Sequence, residues 1–356
     1  MGGTVRREEE APEYYLSVVR GLEEIAADEV RERGAPHITT RPGKVFLRWP
    51  RAPGELVSLR AAMNVYAFVA ERRACPPDAA AERWLRDFAA QLSLGPALAR
   101  HAALHGRPAD PSFRITAVRS GEHEYTSQHV AAWAGDGVRV QTGWKVDLEH
   151  FDYEIEVELV RDRLLCGLRL GSSWRERQTK VAFHPASLNT TVAYAMIRLV
   201  GASEDDVFLD PACGGGTLLT ERAASGPACL ILGGDIWPRA IGLSLKNLAA
   251  VDARAPLARW DARHLPLPQA SVDRVASNLP FGHRVGHGPV VRAFYQSLLP
   301  ELSRVLRPGG RAALLTSRQR WLGRAIERNP ALHRERTIPI ILGGKQAAIF
   351  LLVRNE

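Results

Sequence analysis

One short stretch of the sequence, Ser277-Asn278-Leu279-Pro280-Phe281-Gly282, combines residue types that could hold an amine. The Asn278 side-chain carbonyl and the Leu279 main-chain carbonyl can accept hydrogen bonds from both N–H bonds of an exocyclic nucleobase amine. Such acceptors stabilise the positive charge that develops when this nitrogen attacks an electrophile. Pro280 stiffens the turn, and Phe281 offers a flat surface for a base that has left its stack. The plain alternative is a proline-containing loop with a buried phenylalanine.

A second candidate site is the glycine-rich segment from Asp210 to Thr217, which follows a predicted strand and opens a helix. Glycines in such a turn let the backbone approach a ligand closely. A dinucleotide fingerprint would need a third glycine at position 219, which is leucine. The order Asp-Pro-x-Cys-Gly-x-Gly-Thr instead resembles the first motif of S-adenosylmethionine-dependent methyltransferases. The resemblance implies S-adenosyl-L-methionine as the cofactor.

Other residues extend this predicted cofactor site. Asp235 ends the next predicted strand, where a carboxylate can accept hydrogen bonds from both ribose hydroxyls. Asp261 follows the third strand and could accept from the adenine amine, although a helix cap is its plain alternative. The segment from His184 to Leu188 resembles the element that closes the methionine end of the cofactor, or it is an ordinary helix start. The residues assigned to the cofactor are His184, Ala186, Leu188, Asp210, Ala212, Cys213, Gly214, Gly216, Thr217, Asp235, Ile236, Asp261, Ala262 and Asn278.

The second half of the chain alternates predicted strands and helices. The strands are Asp206–Asp210, Ala228–Leu232, Leu257–Trp260, Asp273–Ser277 and Ala312–Thr316, with helices from about Thr217, Pro238 and Val291, the last stopping at Arg307-Pro308-Gly309-Gly310. A final hairpin pairs Thr337–Leu342 with Ala347–Val353. Repeated βα units predict an α/β fold with a doubly wound parallel sheet, and the hairpin adds an antiparallel strand at its end.

The first half mixes strands and helices without this alternation. Predicted strands are Tyr15–Val19, Lys44–Trp49, Phe113–Arg119 and Leu164–Leu170, and predicted helices are Leu22–Arg33, Ala79–Leu104 and His129–Thr142. From Tyr153 to Leu159, apolar residues alternate with glutamates, which predicts a strand with one solvent-facing side. This half is expected to form one or two small α+β domains.

Taken together, the chain resembles THUMP-domain tRNA guanine-N2 methyltransferases. The THUMP likeness rests on Phe113–Gly121, Gly143–Leu148 and the strand from Tyr153, and the catalytic likeness covers His184 to the C-terminus. The resemblance implies a tail (1–12), a ferredoxin-like domain (13–72), a THUMP domain (73–170), a linker (171–183) and a Rossmann-like class I methyltransferase domain with a seven-stranded sheet (184–356). In this family the N-terminal domains grip tRNA, with THUMP holding its 3′ end, and the catalytic domain methylates a guanosine 2-amino group.

The opening stretch resembles the (D/N/S)-P-P-(Y/F/W) motif of amino-methyltransferases, which makes Asn278, Leu279, Pro280 and Phe281 the expected catalytic set. Leu279 replaces the commoner proline, but this position acts through its backbone. The residues that follow, His283-Arg284-Val285-Gly286, look closer to members acting on guanosine six of the acceptor stem than to members acting on guanosine ten. We interpret the histidines at 283 and 287 as loop residues and expect no metal.

The net charge of +8 suits a polyanionic partner, although an arginine-rich composition is the alternative explanation. Arg119 and Lys145 are candidate phosphate contacts, with ordinary solvated surface as the alternative. Arg284 could hold substrate phosphate or base, or form an ion pair that fixes its loop. No apolar run reaches membrane-spanning length, and the four cysteines lack C-x-x-C spacing. These features predict a reduced, cytoplasmic protein. A monomer is expected, but no feature of the sequence determines the oligomeric state.

Two other function classes share these features. An adenine-N6 or cytosine-N4 DNA methyltransferase would use the same turn, but the THUMP-like half argues against it. A non-catalytic RNA-binding protein would carry a decayed pocket, whereas the glycine loop, Asp235 and Asn278 are intact. Some members of the family work with a small activating subunit, and no residue of this sequence decides that point.

Overall fold

The computed structural model describes residues 12–172, 188–281 and 288–356. The described residues divide into two compact units. The first comprises 12–17, 29–59 and 63–172, and the second comprises 18–28, 60–62 and the residues from 188 onward. His184, Ala186 and Arg284 lie outside the described residues, as do all but one residue of the predicted tail and most of the predicted linker. Within the described ranges, no helix has the length and apolar character needed to cross a membrane.

The first unit is built on an eight-stranded sheet. Its strands are β1 (Tyr14–Ser17), β2 (Ile38–Arg41), β3 (Lys44–Leu47), β4 (Asn64–Arg72), β5 (Ser112–Ser120), β6 (Lys145–Val146), β7 (Tyr153–Val160) and β8 (Arg163–Gly171). Their spatial order is β2-β3-β1-β4-β8-β7-β5-β6. Because β4 pairs with both β1 and β8, the two predicted N-terminal domains share one sheet. The boundaries drawn between these domains stay predictions.

Helices accompany these strands along the chain. They are α1 (Glu23–Glu32), α2 (Gly54–Val57), α3 (Ala81–Ala89), α4 (Gly95–His105) and α5 (Ser127–Thr142). Helix α5 begins at a capping box, in which the Thr126 hydroxyl accepts from the His129 amide and the His129 ring accepts from the Thr126 amide. The predicted helices Leu22–Arg33 and His129–Thr142 are confirmed as α1 and α5, with ends that differ by one or two residues.

The strand with alternating glutamates forms as β7, but the expectation of a solvent-facing side is wrong. Glu154 is buried, and its two carboxylate oxygens accept hydrogen bonds from Arg114 and Arg169, each at 2.7 Å. Glu158 pairs with Lys44 at 2.7 Å. Neighbouring strands therefore supply cations to this face, because a carboxylate that leaves water without a partner is costly.

The second unit is built on a seven-stranded sheet. Its strands are β9 (Val207–Asp210), β10 (Leu230–Asp235), β11 (Leu257–Arg259), β12 (Val272–Asn278), β13 (Leu306–Thr316), β14 (Leu332–Leu342) and β15 (Lys345–Arg354). Its helices are α6 (Thr190–Leu199), α7 (Thr217–Ala224), α8 (Pro238–Ala249), α9 (Gly288–Val305) and α10 (Gln319–Glu327). The order β11-β10-β9-β12-β13-β15-β14 is parallel except for the terminal hairpin, which confirms the predicted doubly wound sheet.

Three local features of this unit differ from the sequence prediction. Helix α6 begins at Thr190, because the Asn189 side chain caps it, so Leu188 precedes the helix rather than forming part of it. Residues 307–310 follow the end of α9 as expected, but they lie inside β13, where the register against β12 shifts. No element was predicted for α10, and in the first unit none was predicted for β2, β4, β6 or α2. All four cysteines are free, and Cys229 is exposed whereas the other three are buried.

Helices α3 and α5 pack closely at Gly137. A Cβ at this position would lie 2.3 Å from the Arg86 carbonyl oxygen and 2.7 Å from the Ala89 Cβ. Both distances are far shorter than van der Waals contact, and the nearest atom belongs to backbone, which does not move aside as a side chain can. Only glycine therefore fits between these helices at their present separation.

We expect Gly137→Ala to lower the free energy of unfolding by about 1–3 kcal/mol, because the two helices must separate. The matched control is Gly135→Ala on the same helix, where a Cβ would meet only Ile115 Cγ1 at 3.7 Å. That change should be neutral or stabilise by up to about 1 kcal/mol. Urea denaturation of the full chain measures both, and equal stability of the two variants would contradict the close packing.

Candidate functional site

The candidate site lies where the strand order of the seven-stranded sheet reverses. The chain runs from β9 outward to β10 and β11 on one side, and then returns to β12 and β13 on the other. Strands β9 and β12 are parallel neighbours, with Leu209 paired to Val275. Ligands of such sheets bind at the carboxyl ends of the strands at this reversal. The glycine segment follows β9 and Asn278 ends β12, so the two sequence-predicted sites lie side by side.

A buried hydrogen bond joins these two strand ends. Asp210 is 2% exposed, and its Oδ1 accepts from Ser277 Oγ at 2.8 Å and from the Ala212 amide at 3.2 Å. Burial raises the pKa of Asp210 to about 7. The observed contacts of Asp210 hold the glycine loop against β12, and its predicted contact with the cofactor stays a prediction.

Side chains of helix α8 hold the glycine loop through hydrogen bonds to its carbonyls. Ser244 Oγ donates to the Gly214 carbonyl and Asn247 Nδ2 donates to the Gly215 carbonyl, each at 2.8 Å. Gly216 has a φ of +76°, and a Cβ there would lie 2.9 Å from Ser244 Oγ. At Gly214, in contrast, a Cβ would meet nothing within 4 Å. The loop is therefore packed on its inner side and open at Gly214, as a close approach by a ligand requires.

Two predicted residues of this loop lie beneath its surface. Cys213 is buried with its Sγ 3.6 Å from Ser244 Oγ, and Thr217 is buried as the first residue of α7. Burial raises the pKa of the Cys213 thiol, which keeps it protonated at neutral pH. These side chains support the loop, and their predicted contacts with a cofactor stay predictions.

Asp235 ends β10 and faces the glycine loop. Its carboxylate accepts from the Gly214 amide at 2.9 Å and from the Trp237 amide at 3.0 Å. Each carboxylate oxygen keeps a second lone pair, so these bonds leave acceptor capacity for ribose hydroxyls. Ile236 and Trp237 are 48% and 61% exposed. An apolar edge beside a buried carboxylate suits the flat, partly apolar surface of a nucleoside.

Asp261 follows β11 and is already engaged. Its oxygens accept from the Arg263 guanidinium at 3.0 and 2.6 Å, and these bonds lower the pKa of Asp261. An adenine amine would have to share the carboxylate with Arg263, so the predicted adenine contact stays a prediction. Ala262 and Leu188 are both buried.

The turn after β12 carries an unpaired acceptor. Asn278 Oδ1 is buried and has no hydrogen-bond partner among residues 12–172, 188–281 and 288–356. The next residue is fixed, because the Leu279 amide donates to the Leu315 carbonyl at 3.0 Å and its side chain is 2% exposed. A buried carbonyl without a donor costs about 1–3 kcal/mol. A ligand that brings an N–H group to Asn278 would remove this cost.

Three residues that the sequence analysis missed hold the rest of the turn. The Tyr295 hydroxyl donates to the Pro280 carbonyl at 2.8 Å and lies at the same distance from Thr316 Oγ1. Arg318 Nε donates to the Phe281 carbonyl at 2.8 Å. A tyrosine within the apolar stripe of a predicted helix was the available signal, since a buried hydroxyl needs a partner.

The predicted phosphate contacts of the first unit have different surroundings. Arg119 Nη1 donates to the Gly121 carbonyl at 2.9 Å and lies 2.9 Å from His123 Nδ1, so its guanidinium holds the loop after β5. Lys145 is exposed on the edge strand β6. Their contacts with RNA stay predictions. Among the described residues, no group of His, Cys, Asp and Glu side chains is arranged to hold a metal ion.

The sheet order and the site at its reversal define the class I methyltransferase fold. A family model described as "RMKL-like, methyltransferase domain" matches residues 177–346, and a THUMP domain model matches residues 99–168. The tRNA (guanine(6)-N2)-methyltransferase of Thermus thermophilus is 33% identical over 243 residues, which cover 68% of this chain and 72% of that protein. The chain belongs to the family of this relative, in which a THUMP domain accompanies an RMKL-like methyltransferase domain.

Two further comparisons agree with this family. The crystal structure of TrmN from Thermus thermophilus has a TM-score of 0.79 and 27% identity, and the match covers 96% of this chain and 99% of that one. The Bos taurus protein named tRNA (guanine(6)-N(2))-methyltransferase THUMP3 is 33% identical over 266 residues, or 69% of this chain. The chain spans only about half of this mammalian relative, 53% of its length.

The buried Asp210 carboxyl predicts a pH dependence of stability. Its pKa in the folded chain, about 7, lies above its ordinary value of 3.8, so the folded state binds more protons between these values. The stability that this group contributes is complete below about pH 4 and is lost as the pH rises through about 7. We expect Asp210→Asn to remove this dependence, because its Oδ1 can still accept from Ser277 and the Ala212 amide but the side chain does not titrate.

The measurement is urea denaturation of the wild type and the Asn variant from pH 4.5 to 8. The free energy of unfolding of the wild type, minus that of the variant, should fall as the pH rises. Subtraction cancels the titration of other groups. A difference that is constant across this range would show that Asp210 ionises as an ordinary carboxyl.

Proposed function

We propose that this protein transfers a methyl group from S-adenosyl-L-methionine to the exocyclic 2-amino group of a guanosine in tRNA, at position six of the acceptor stem. The observation that carries the proposal is the buried Asn278 carbonyl, which lacks a donor among the described residues and ends the strand beside the glycine loop. The names of the Thermus and bovine relatives support the substrate class and the position. A cytoplasmic location and a monomeric state belong to the same proposal.

Asn278 and Leu279 act on the amine. Asn278 Oδ1 accepts from one N–H bond and the Leu279 carbonyl accepts from the other, which directs the nitrogen lone pair away from the two oxygens. The same oxygens stabilise the positive charge that develops on nitrogen, because they are fixed before the reaction begins. Leu279 is positioned for this by its own amide, which is bound to Leu315 in the next strand. Phe281 supplies the surface against which the purine rests.

The residues around the glycine loop fit the cofactor. Gly214 leaves open space beside the backbone, Asp235 keeps acceptor capacity for the ribose, and Ile236 offers an exposed apolar surface for the adenine. S-adenosyl-L-methionine, when bound, supplies an electrophilic methyl group on a sulfonium centre. His184 and Ala186 are proposed to close the methionine end, and Ala212, Cys213, Gly216, Thr217, Asp261, Ala262 and Leu188 to complete the pocket.

One experiment separates this function from the other classes. Purified protein is incubated with radioactive S-adenosyl-L-methionine and either total tRNA or duplex DNA, and the nucleosides are analysed. We expect N2-methylguanosine in tRNA, mapped to position six. A methylated adenine or cytosine in DNA would support the DNA-enzyme alternative, a product at position ten would correct the site, and transfer to neither substrate would support a non-catalytic role.

Asn278→Ala should lower kcat by about 10²–10³-fold, because it removes one of two acceptors that stabilise the developing charge. Calorimetry should show that S-adenosyl-L-methionine still binds. Asp235→Ala is the contrasting variant, and it should lose cofactor binding severely. Wild-type turnover by the Asn278 variant would refute the role of this amide.

Tyr295→Phe tests whether the turn must be held rigidly. Loss of the hydrogen bond to Pro280 should lower kcat about tenfold, since small displacements of a reacting group are costly, while the KM for S-adenosyl-L-methionine stays unchanged. The matched control is Tyr125→Phe, because the Tyr125 hydroxyl donates in the same way to the Pro76 carbonyl, at 2.7 Å, in the first unit. Both variants should lose about 1 kcal/mol of stability. An equal loss of kcat in both would reduce Tyr295 to a purely structural residue.

A further inference from the structure

Helix α10 carries a row of exposed arginines on the side that faces away from the core. Arg320 and Arg324 lie within α10 and Arg328 caps its end, and the spacing of four residues places all three on one helical face over about 12 Å. All three are exposed, and no carboxylate of the described chain lies within 4.0 Å of them. The opposite face of α10 is buried through Leu322 and Ile326. The helix is thus fixed in orientation and presents its cations outward.

The neighbouring edge strand β14 enlarges this cationic surface. Arg334 is exposed, and its Nη1 lies 4.0 Å from the point where a Cβ of Gly323 on α10 would be. The Arg334 guanidinium therefore lies against α10. We name Arg320, Arg324, Arg328 and Arg334 the α10 row.

Of the two carboxylates on these elements, one is paired elsewhere and the other offsets only part of the charge of the row. Glu335 pairs with Arg311 at 2.7 Å, and Glu327 is exposed without an arginine partner in the described part of the chain. Guanidinium groups gathered in this way repel one another in the free protein. A polyanion that binds them would relieve this repulsion and release its own counterions.

The row begins next to the turn that carries Asn278. Arg318 immediately precedes α10, and its Nε donates to the Phe281 carbonyl at 2.8 Å. Arg320 follows two positions later. A strand that delivers an extruded base to this turn must carry the phosphates on either side of that base past the residues that adjoin it.

We propose that the α10 row binds phosphates of the RNA strand that carries the target guanosine, as a second RNA contact separate from the first unit. The inference rests on the proposed function, because it takes RNA as the substrate. Arginine suits this role, since its planar guanidinium binds phosphate oxygens through two parallel hydrogen bonds. An acidic protein surface would match the charge as well, but only the nucleic acid must also pass the turn.

The test replaces Arg320, Arg324 and Arg328 together by glutamine in the full-length protein. Binding of tRNA is measured across salt concentrations, together with the KM for tRNA and the affinity for S-adenosyl-L-methionine. The slope of log K against log salt should become shallower by about 2–3, from about 0.7–0.9 per lost contact. The KM for tRNA should rise at least about tenfold, and cofactor affinity should not change.

The matched control replaces Arg239, Lys246 and Arg254 by glutamine. These cations are also exposed in the second unit, on α8 and the segment after it, and their removal changes the net charge by the same three units. This variant should keep the wild-type slope to within about one contact. An equal loss in both variants would overturn the proposal, because total charge rather than the α10 row would then govern binding.

Two further outcomes separate this inference from the proposed function. If the wild type methylates tRNA and the α10 variant keeps the wild-type slope and KM, the inference is wrong and the proposed function stands. If the wild type neither binds nor methylates tRNA, both are wrong.

Discussion

The hydrogen bond from Ser277 to Asp210 is the contact on which the rest of the site depends. Parallel pairing of β9 and β12 brings the two strand ends near each other, but it leaves their loops free to diverge. Asp210 is the last residue of β9 and Ser277 the penultimate residue of β12, so their bond fixes the start of the glycine loop against the start of the turn. The Trp260 indole also holds the start of the glycine loop, because it donates to the Pro211 carbonyl at 2.9 Å.

The oxygens of the turn divide into two groups with different roles. The carbonyls of Pro280 and Phe281 accept from Tyr295 and Arg318, which belong to elements behind the turn. The side-chain oxygen of Asn278 is buried and has no donor in the part of the chain that the structure describes. The unsatisfied acceptor raises the free energy of the free protein, and a hydrogen bond from the amine of a bound base removes this penalty.

Features that depend on neighbouring residues were predictable from the sequence. The start of α7 at Thr217, the strand that ends at Asn278 and the terminal hairpin around Gly343 and Gly344 follow from glycine placement and apolar periodicity, although β15 begins two residues before the predicted strand. Contacts between distant segments were not. Examples are the pairing of β4 with β8, the cations around Glu154 and the hydrogen bond from Tyr295 to Pro280. These contacts depend on which strands and helices become neighbours, and the spacing of residues along the chain does not determine that.

Helix α10 was also not predictable from the sequence. Its exposed positions carry Arg320, Arg324 and Glu327, so the segment resembles ordinary polar surface until the sheet is assembled. The helix is stabilised by what it buries against β14 and α9, rather than by its own composition.

The exposure of Cys229 has a practical consequence. It lies immediately before β10, whereas Asp235 lies at the far end of that strand, about 20 Å away by strand geometry. Because the other three thiols are buried, a maleimide fluorophore would attach to the native sequence at one place, remote from the carboxyl edge of the sheet. Anisotropy of that dye would follow the arrival of RNA in real time without any engineered attachment point.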